Sequence, residues 1–521
     1  MVLAICGVVA HTRSVQGTSD PDRRLLDAAA LCRQLVPEGS VEAFLADHRR
    51  ELFPDGLFAD LFPSNRGRPS VPADVVATVM VLQALEGLSD REAARALRDR
   101  ISWKVAAGLA LDDVGFDYSV LTYWRTRLRH SDRPERIFEA VREVVAATGV
   151  LAGRTRRALD STLLDDAVAT QDTVTQLISA MRRVRRLIPE AAAVEVLAHD
   201  YDSAAKPAIA WDDPVAKQAL ITALVNDALA LIAALEDVVL TDEQADAVGL
   251  LALIAGQDVE PGDDEGTWRI AERVAPDRVI SVVDTESRHM HKSRSEYRDG
   301  YKAHVAVEPD TGIITGAALT PANAADGPTG VALVADEDGR TEVYADSAYG
   351  SGETRAEIRR HGHDPVIKPI PLRPVVPEGF TRDDFVIDHR ARTATCPGGH
   401  TVAISPGGAA TFGVRCTGCP FRQRCTTARD GRVLRVSDHD DELVYGRQAW
   451  GDPVVQAHYR RHRPMVERTI AWLVARGNRR VPYRGVERNQ QWLTHRAAAL
   501  NLRRLVTLGV RFDGSGWRLT T

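Results

Sequence analysis

A chain of 521 residues, 44% hydrophobic and 26% charged, can bury at least one large core. That excludes a disordered protein and predicts about two to four domains. No uninterrupted apolar run of the roughly 18 residues needed to span a membrane occurs. The N-terminal MVLAICGVVAHTRS lacks a basic start and a cleavage site, so a cytoplasmic protein without membrane partners is expected. The formal net charge of -6 is unevenly distributed. Arg447 to Thr521 holds 15 arginines, no lysine and 4 acids, a net of +11, whereas Glu190 to Glu272 holds 18 acids against three basic residues, a net of -15. The total therefore hides a strongly basic C-terminal segment suited to a polyanionic partner.

Residues 1–150 read as a helical module. VPADVVATVMVLQALEGLSDREAARALRD has helical periodicity, and Ser89 with Glu92 forms a capping box that restarts a helix after Gly87. A further helix is expected from about Ser119, where DYSVLTYWRTRLRH carries Arg125, Arg127 and Arg129 beside Tyr123 and Trp124. Helix, short turn and basic-aromatic helix together read as a helix-turn-helix that would present Arg125 and Arg127 to DNA. A helical bundle with a solvated arginine face is the alternative reading of the same stretch.

The strand TRRALDSTLLDD, carrying Asp160, comes next, followed by a helical insert over about 167–278. Strand signals return in DRVISVVD, in the hairpin YKAHVAVEPDTGIITGAALTP, in TEVYADSAY and in DPVIKP. The third of these runs stops on Asp346. Residues 376–451 hold Cys396, Cys416, Cys419 and Cys425, whereas Cys6 and Cys32 stand apart. In a cytosolic protein such clustering points to Zn²⁺ in a small structural insert rather than to disulfides. His400 in CPGGH leaves a set of three cysteines and one histidine open beside the four-cysteine set. Four protein ligands leave no position for catalysis.

Helical periodicity resumes from Asp452, with Tyr459, Arg463 and Glu467 spaced four apart and so expected on one face, Pro464 permitting. Each acid alone has an ordinary explanation, as an ion-pair partner for Glu467 or a cap for Asp160 and Asp346. Together, on two strands and a later helix, Asp160, Asp346 and Glu467 suit Mg²⁺ or Mn²⁺, which prefer a few carboxylates with open positions beside a phosphodiester. Arg463 would neutralise charge on that phosphate. Asp284, ending SVVD, rivals Asp160 as the first acid. Asp326 in PANAADG is a weaker rival, because that stretch reads as a turn.

These segments resemble DDE transposases of bacterial insertion sequences, whose catalytic domain is ribonuclease-H-like and related to retroviral integrases. LSDREAARAL, DYSVLTYWRTRL, LDST, GYKAHVAVEPDTGIITGAALTPANAADG, VYADSAYGS, PMVERTIAWLVARGNRRVPYRG and AALNLRRL carry the resemblance, which spans nearly the whole chain. It implies an α/β fold: a ribonuclease-H-like catalytic core over 151–375 and 452–505, interrupted by the helical and cysteine-rich inserts, preceded by an all-α DNA-binding module and followed by a 506–521 tail. It implies Asp160, Asp346 and Glu467 as the catalytic, metal-holding triad with Arg463 beside them. Tyr459 sits one position earlier than the commonest family spacing, and Val474 stands where a lysine is expected. The implied activity is cleavage of element ends and joining of the 3′-hydroxyl to target DNA, by a homodimer holding two ends. Arg468, Arg476, Arg479 and Arg480 would contact the double-stranded DNA, with Trp472, Tyr483 and Trp492 read as core aromatics before base-stacking platforms. A catalytically inactive DNA-binding descendant and a nuclease without strand transfer are the alternatives.

Overall fold

A computed structural model describes residues 15–19, 25–64, 66–203, 205–273, 275–291 and 296–520. The N-terminal apolar stretch and Cys6 lie outside them.

Six helices, Val41–Leu52, Ala73–Glu86, Asp90–Asp99, Ile101–Ala107, Ser119–Arg129 and Arg136–Thr148, make up most of the N-terminal region. Gly87, at φ 71°, ends the second in a left-handed C-cap. The Ser89 and Glu92 capping box starts the third, with the Ser89 N–H donating to Glu92 Oε2 at 2.8 Å. The third helix does not pass by a short turn into the basic-aromatic helix. Ile101–Ala107 and the 108–118 connection intervene, because Trp103, Val105, Ala106 and Ala107 are all buried and draw that segment into a core helix of its own.

The central sheet contains β1 (Arg156–Asp165), β2 (Arg288–His291), β3 (Tyr297–Val307), β4 (Ile314–Pro321), β5 (Glu342–Ala345) and β6 (Asp364–Ile367). Its order is β4-β3-β1-β5-β6, with β2 also pairing with β3. β3 runs antiparallel to β1, β4 antiparallel to β3, and β5 and β6 parallel to β1. The β3–β4 turn is held by Glu308, whose carboxylate accepts from the Thr311 N–H at 2.7 Å and hydroxyl at 2.6 Å.

DRVISVVD departs from expectation. Only Val279 forms a bridge, to Arg288. Its backbone is instead satisfied by glutamine side chains from the helical insert: Gln176 Nε2 donates to Val279 O at 2.9 Å, and the Val282 N–H donates to Gln171 Oε1 at 2.9 Å. Val279, Ile280 and Val282 are buried with no strand ladder beyond that single bridge, so composition resembled a strand where an irregular segment lies.

The helical insert contains Thr173–Leu187, Pro214–Ala234 and Asp242–Gln257, plus a short hairpin, around its own core. Pro214–Ala234 is long and apolar enough to cross a membrane by length and composition, but Leu220, Leu224, Ala228 and Leu231 are buried in that core. The cysteine-rich insert has a three-stranded sheet, a two-stranded sheet and a separate small core.

Three closing helices, Pro453–His462, Pro464–Val474 and Val486–Thr507, return to the central sheet. The last is pinned at Asn501, which donates to Ile314 O at 2.8 Å and accepts from the Ile314 N–H at 2.7 Å. The tail then forms a hairpin, Val510–Phe512 with Trp517–Leu519, that places Trp517 5.6 Å from Phe44. One continuous core joins Phe44 and Trp124 of the N-terminal helices to Val305 and Leu500. The N-terminal helices and the sheet thus share packing across the expected boundary near residue 150.

Candidate active site

Register brings the first two acids together. Ala158 of β1 pairs with Tyr344 of the parallel strand β5. Two residues further along each strand are Asp160 and Asp346, level with one another and on the same face. Asp346 directly follows the carboxyl end of β5 and Asp160 stands beside it in the middle of β1, at the edge where open α/β sheets bind ligands. Asp160 Oδ1 accepts from the Ser161 N–H at 2.8 Å, and Asp346 Oδ1 accepts from the Ala348 N–H at 2.9 Å, capping the 3-10 turn Ser347–Tyr349. Asp346 is therefore both the strand-ending acid and a cap.

The closing helices supply the rest. Proline lacks an N–H, so Pro464 interrupts the ladder and opens a new helix immediately after Arg463. Arg463 keeps right-handed helical angles (φ -64°, ψ -37°), so Tyr459, Arg463 and Glu467 stay on one side. Arg463 Nη2 lies 2.9 Å from Asp160 Oδ2, and Nη1 lies 3.9 Å from Glu467 Oε1. The Arg463 side chain is 6% exposed, that of Asp160 16% and that of Glu467 62%. Arg463 Nε and Nη1 are buried without a hydrogen-bond partner.

Burial pushes the Asp160 carboxyl up from its usual range, Arg463 pulls it down and Asp346 adds to the rise. Burial opposes the Arg463 cation, but Asp160 beside it outweighs that effect and the guanidinium is held above its ordinary value. Burial likewise raises Tyr459, whose ring stacks edgewise on Trp450 at 4.9 Å. Among the described residues no group of three or more His, Cys, Asp or Glu side chains is gathered closely enough to hold a metal. The acids instead surround a guanidinium. Their chemistry still fits a hard divalent cation: oxygen donors from three separate elements, two of them carried by adjacent strands.

The rivals sit elsewhere. Asp284 is buried in the irregular segment, where the Tyr301 hydroxyl donates to its two oxygens at 2.6 and 2.7 Å and the Gly485 N–H donates at 3.3 Å. It ties three chain segments together and ends no strand. Asp326 opens the helix Asp326–Ala332 rather than a turn, and pairs with Lys302 at 3.2 Å.

Cys396, Cys416, Cys419 and Cys425 are free thiols lining one small pocket with His400, Phe412 and Phe421. Burial pushes the Cys425 thiol up, with the other three cysteines adding to the rise, and Cys416 Sγ accepts from the Arg432 N–H at 3.4 Å.

The arginines divide. Arg125 is buried, bonded to Asp90 and set over the Tyr483 ring at 5.6 Å. Arg127 donates to Leu61 O and lies 4.5 Å over the Tyr123 ring. Both are spent on packing the N-terminal helices, which corrects the expectation that they face DNA. Arg468 and Arg476 are exposed, the latter at φ 60°. Arg479 Nη1 donates to Leu163 O at 3.1 Å and Arg480 Nε to Asp166 O at 2.9 Å, fixing the 476–481 loop along the end of β1. Trp472 is half-buried, with Arg503 5.1 Å over its ring.

The sheet order and the acids at its edge fit a ribonuclease-H-like core. Residues 267–502 match the family described as Transposase DDE domain, and residues 32–127 match the Transposase domain (DUF772). Both matches are to transposase domains and support a DDE transposase of the insertion-sequence type. Members of this family act on DNA as polynucleotidyl transferases and use a divalent metal. The DDE match includes Asp346, Arg463 and Glu467 and begins after Asp160. Comparisons with curated proteins and with solved structures find no match.

Proposed function

We propose that this protein cleaves the DNA ends of its own insertion element and joins the freed 3′-hydroxyl to target DNA. The observation that carries the reading is the convergence of Asp160 and Asp346, from adjacent parallel strands, with Arg463 and Glu467 from the closing helices. Asp160, Asp346 and Glu467 would hold Mg²⁺ or Mn²⁺, which when bound activate the attacking oxygen and offset charge on the phosphate. Arg463 opposes the rise that burial gives the Asp160 carboxyl, and its Nε and Nη1, which have no hydrogen-bond partner, can donate to a phosphate oxygen. Arg479 and Arg480 shape the loop at the end of β1, while Arg468 and Arg476 offer exposed charge to the DNA backbone. Two chains, each holding one element end, form the working unit. Cys396, Cys416, Cys419 and Cys425, which line one pocket, would have to draw closer together to hold one structural Zn²⁺, and the enzyme works in the cytoplasm.

The test is cleavage and strand transfer with a duplex carrying the DNA that flanks the gene. Wild type should act in Mg²⁺ or Mn²⁺; Asp160→Ala, Asp346→Ala and Glu467→Ala should each bind the duplex and leave it uncut. Undiminished cleavage by any of the three would remove that residue from the site. Activity in Asp160→Ala with loss in Asp284→Ala would exchange the first acid.

A further inference from the structure

The sheet face opposite the catalytic acids carries a buried polar cluster that packing does not require. Alternation along β1 turns Ser161 away from Asp160, and alternation along β3 turns Lys302 and His304 to Ser161's side. Lys302 is 3% exposed and His304 fully buried. Asp326 joins them: the Ser161 hydroxyl donates to its Oδ1 at 2.9 Å, Lys302 Nζ lies 3.2 Å from the same oxygen, and His304 Nδ1 lies 3.7 Å away. Lys302 Nζ also donates to Ala324 O at 2.7 Å, and His304 Nε2 shares a hydrogen bond with Thr320 Oγ1 at 3.0 Å. Tyr349, 1% exposed, completes the cluster with its hydroxyl 3.5 Å from His304 Nδ1.

Two features tie this cluster to the acids. Ser161 follows Asp160 directly, and Tyr349 ends the turn that Asp346 caps. A tyrosine that reaches His304, the register partner of Ser161, and belongs to the turn after β5 therefore links the two strands that carry Asp160 and Asp346. The helix above has been fitted to it: a Cβ on Gly330 would lie 2.5 Å from the Tyr349 ring and one on Gly327 2.1 Å from Thr354 Oγ1. Asp326, Gly327 and Gly330 thus form one device. The carboxylate anchors Lys302 and Ser161, and the missing side chain at Gly330 admits the ring.

We propose that Asp326 and Tyr349, with Ser161 and Lys302, are positioning residues that hold Asp160 and Asp346 at the separation needed for one divalent cation to bind both. The inference rests on the metal-holding role of those acids. Groups that orient metal ligands typically contribute about 10–100-fold in metal affinity or activity.

The experiment measures Mn²⁺ binding to full-length protein by the loss of the free-ion electron paramagnetic resonance signal, beside the Mn²⁺ dependence of cleavage. The variants are Tyr349→Phe, which keeps the ring, and Asp326→Asn, which keeps the shape. Folded variants whose half-saturating Mn²⁺ concentration rises about tenfold, with unchanged affinity for DNA, are expected. Unchanged half-saturation in folded Tyr349→Phe, with at most a fall in rate, would overturn the inference and leave the cluster as packing. Asp346→Ala serves as reference. If wild type binds no more Mn²⁺ than Asp346→Ala, the metal-holding reading fails, and this inference with it. Should Asp326→Asn be unfolded, Tyr349→Phe decides alone.

Discussion

Arg463→Gln tests the electrostatics of the site most sharply. At 2.9 Å, two unit charges attract by about 6 kcal/mol at an effective dielectric constant near 20. Burial of both partners cancels much of that gain, so the relevant number is the cost of removing one member of a buried pair, about 3–5 kcal/mol. Asp160 retains 16% side-chain exposure and can take up a proton, so a loss of about 3 kcal/mol near neutral pH is expected. The pH dependence follows from sign. Arg463 lowers the Asp160 carboxyl, which burial has already raised. Removing the guanidinium raises it further, so the buried anion is destabilising above its new value and relieved below it. The loss should therefore shrink as the pH is lowered, and Asp160→Asn/Arg463→Gln should recover much of it, giving a coupling of roughly 2 kcal/mol. Chemical denaturation at several pH values reads all three quantities. An Arg463→Gln variant as stable as wild type at pH 7, or a loss that does not diminish on acidification, would refute the pairing.

Arg125→Ala should lower stability by about 2–4 kcal/mol while leaving the preference for element ends over scrambled duplex intact in the folded fraction, because its guanidinium is bonded to Asp90. A fully stable variant with altered preference would return it to the DNA surface. Arg468→Ala/Arg476→Ala should weaken binding to specific and scrambled duplexes alike and flatten the log-log salt dependence by about two units. An unchanged slope would take these exposed arginines off the backbone. Purified protein should carry about one zinc per chain, with chelation unfolding the 376–451 insert, and zinc-free, fully active protein would contradict the four-cysteine site.

Much of this site is legible in the amino-acid order because a strand that stops on an acid is a local signal. TEVYAD runs through β5 to Asp346 just past its end, LDST carries Asp160 along β1, and Tyr459, Arg463 and Glu467 keep their four-residue spacing through Pro464. The β3–β4 hairpin was equally visible in PDTG. What could not be read was long-range partnership. Arg125 sits in a basic helix that looks solvent-facing, and its removal from the surface depends on Asp90 and on Tyr483, which lies far along the chain beyond the whole sheet. DRVISVVD has a strand's composition, but its partners are Gln171, Gln176 and Gln257 rather than a ladder. The Asp326 cluster did leave a trace in GYKAHVAV, where Lys302 and His304 stand two apart within an otherwise apolar run. Two ionisable groups on one buried face require a partner.

The claim that Asp346 acts by holding a divalent cation is tested most directly by Asp346→Cys. Mg²⁺ binds hard oxygen and has little affinity for a thiolate, whereas Mn²⁺ and softer ions accept sulfur more readily. Cleavage of the element end should vanish with Mg²⁺ and return in part with Mn²⁺, while Asp346→Ala stays inactive with both. Equal inactivity of the Cys and Ala variants with Mn²⁺ would leave the claim without its support, and cleavage by Asp346→Ala with Mg²⁺ would contradict it outright.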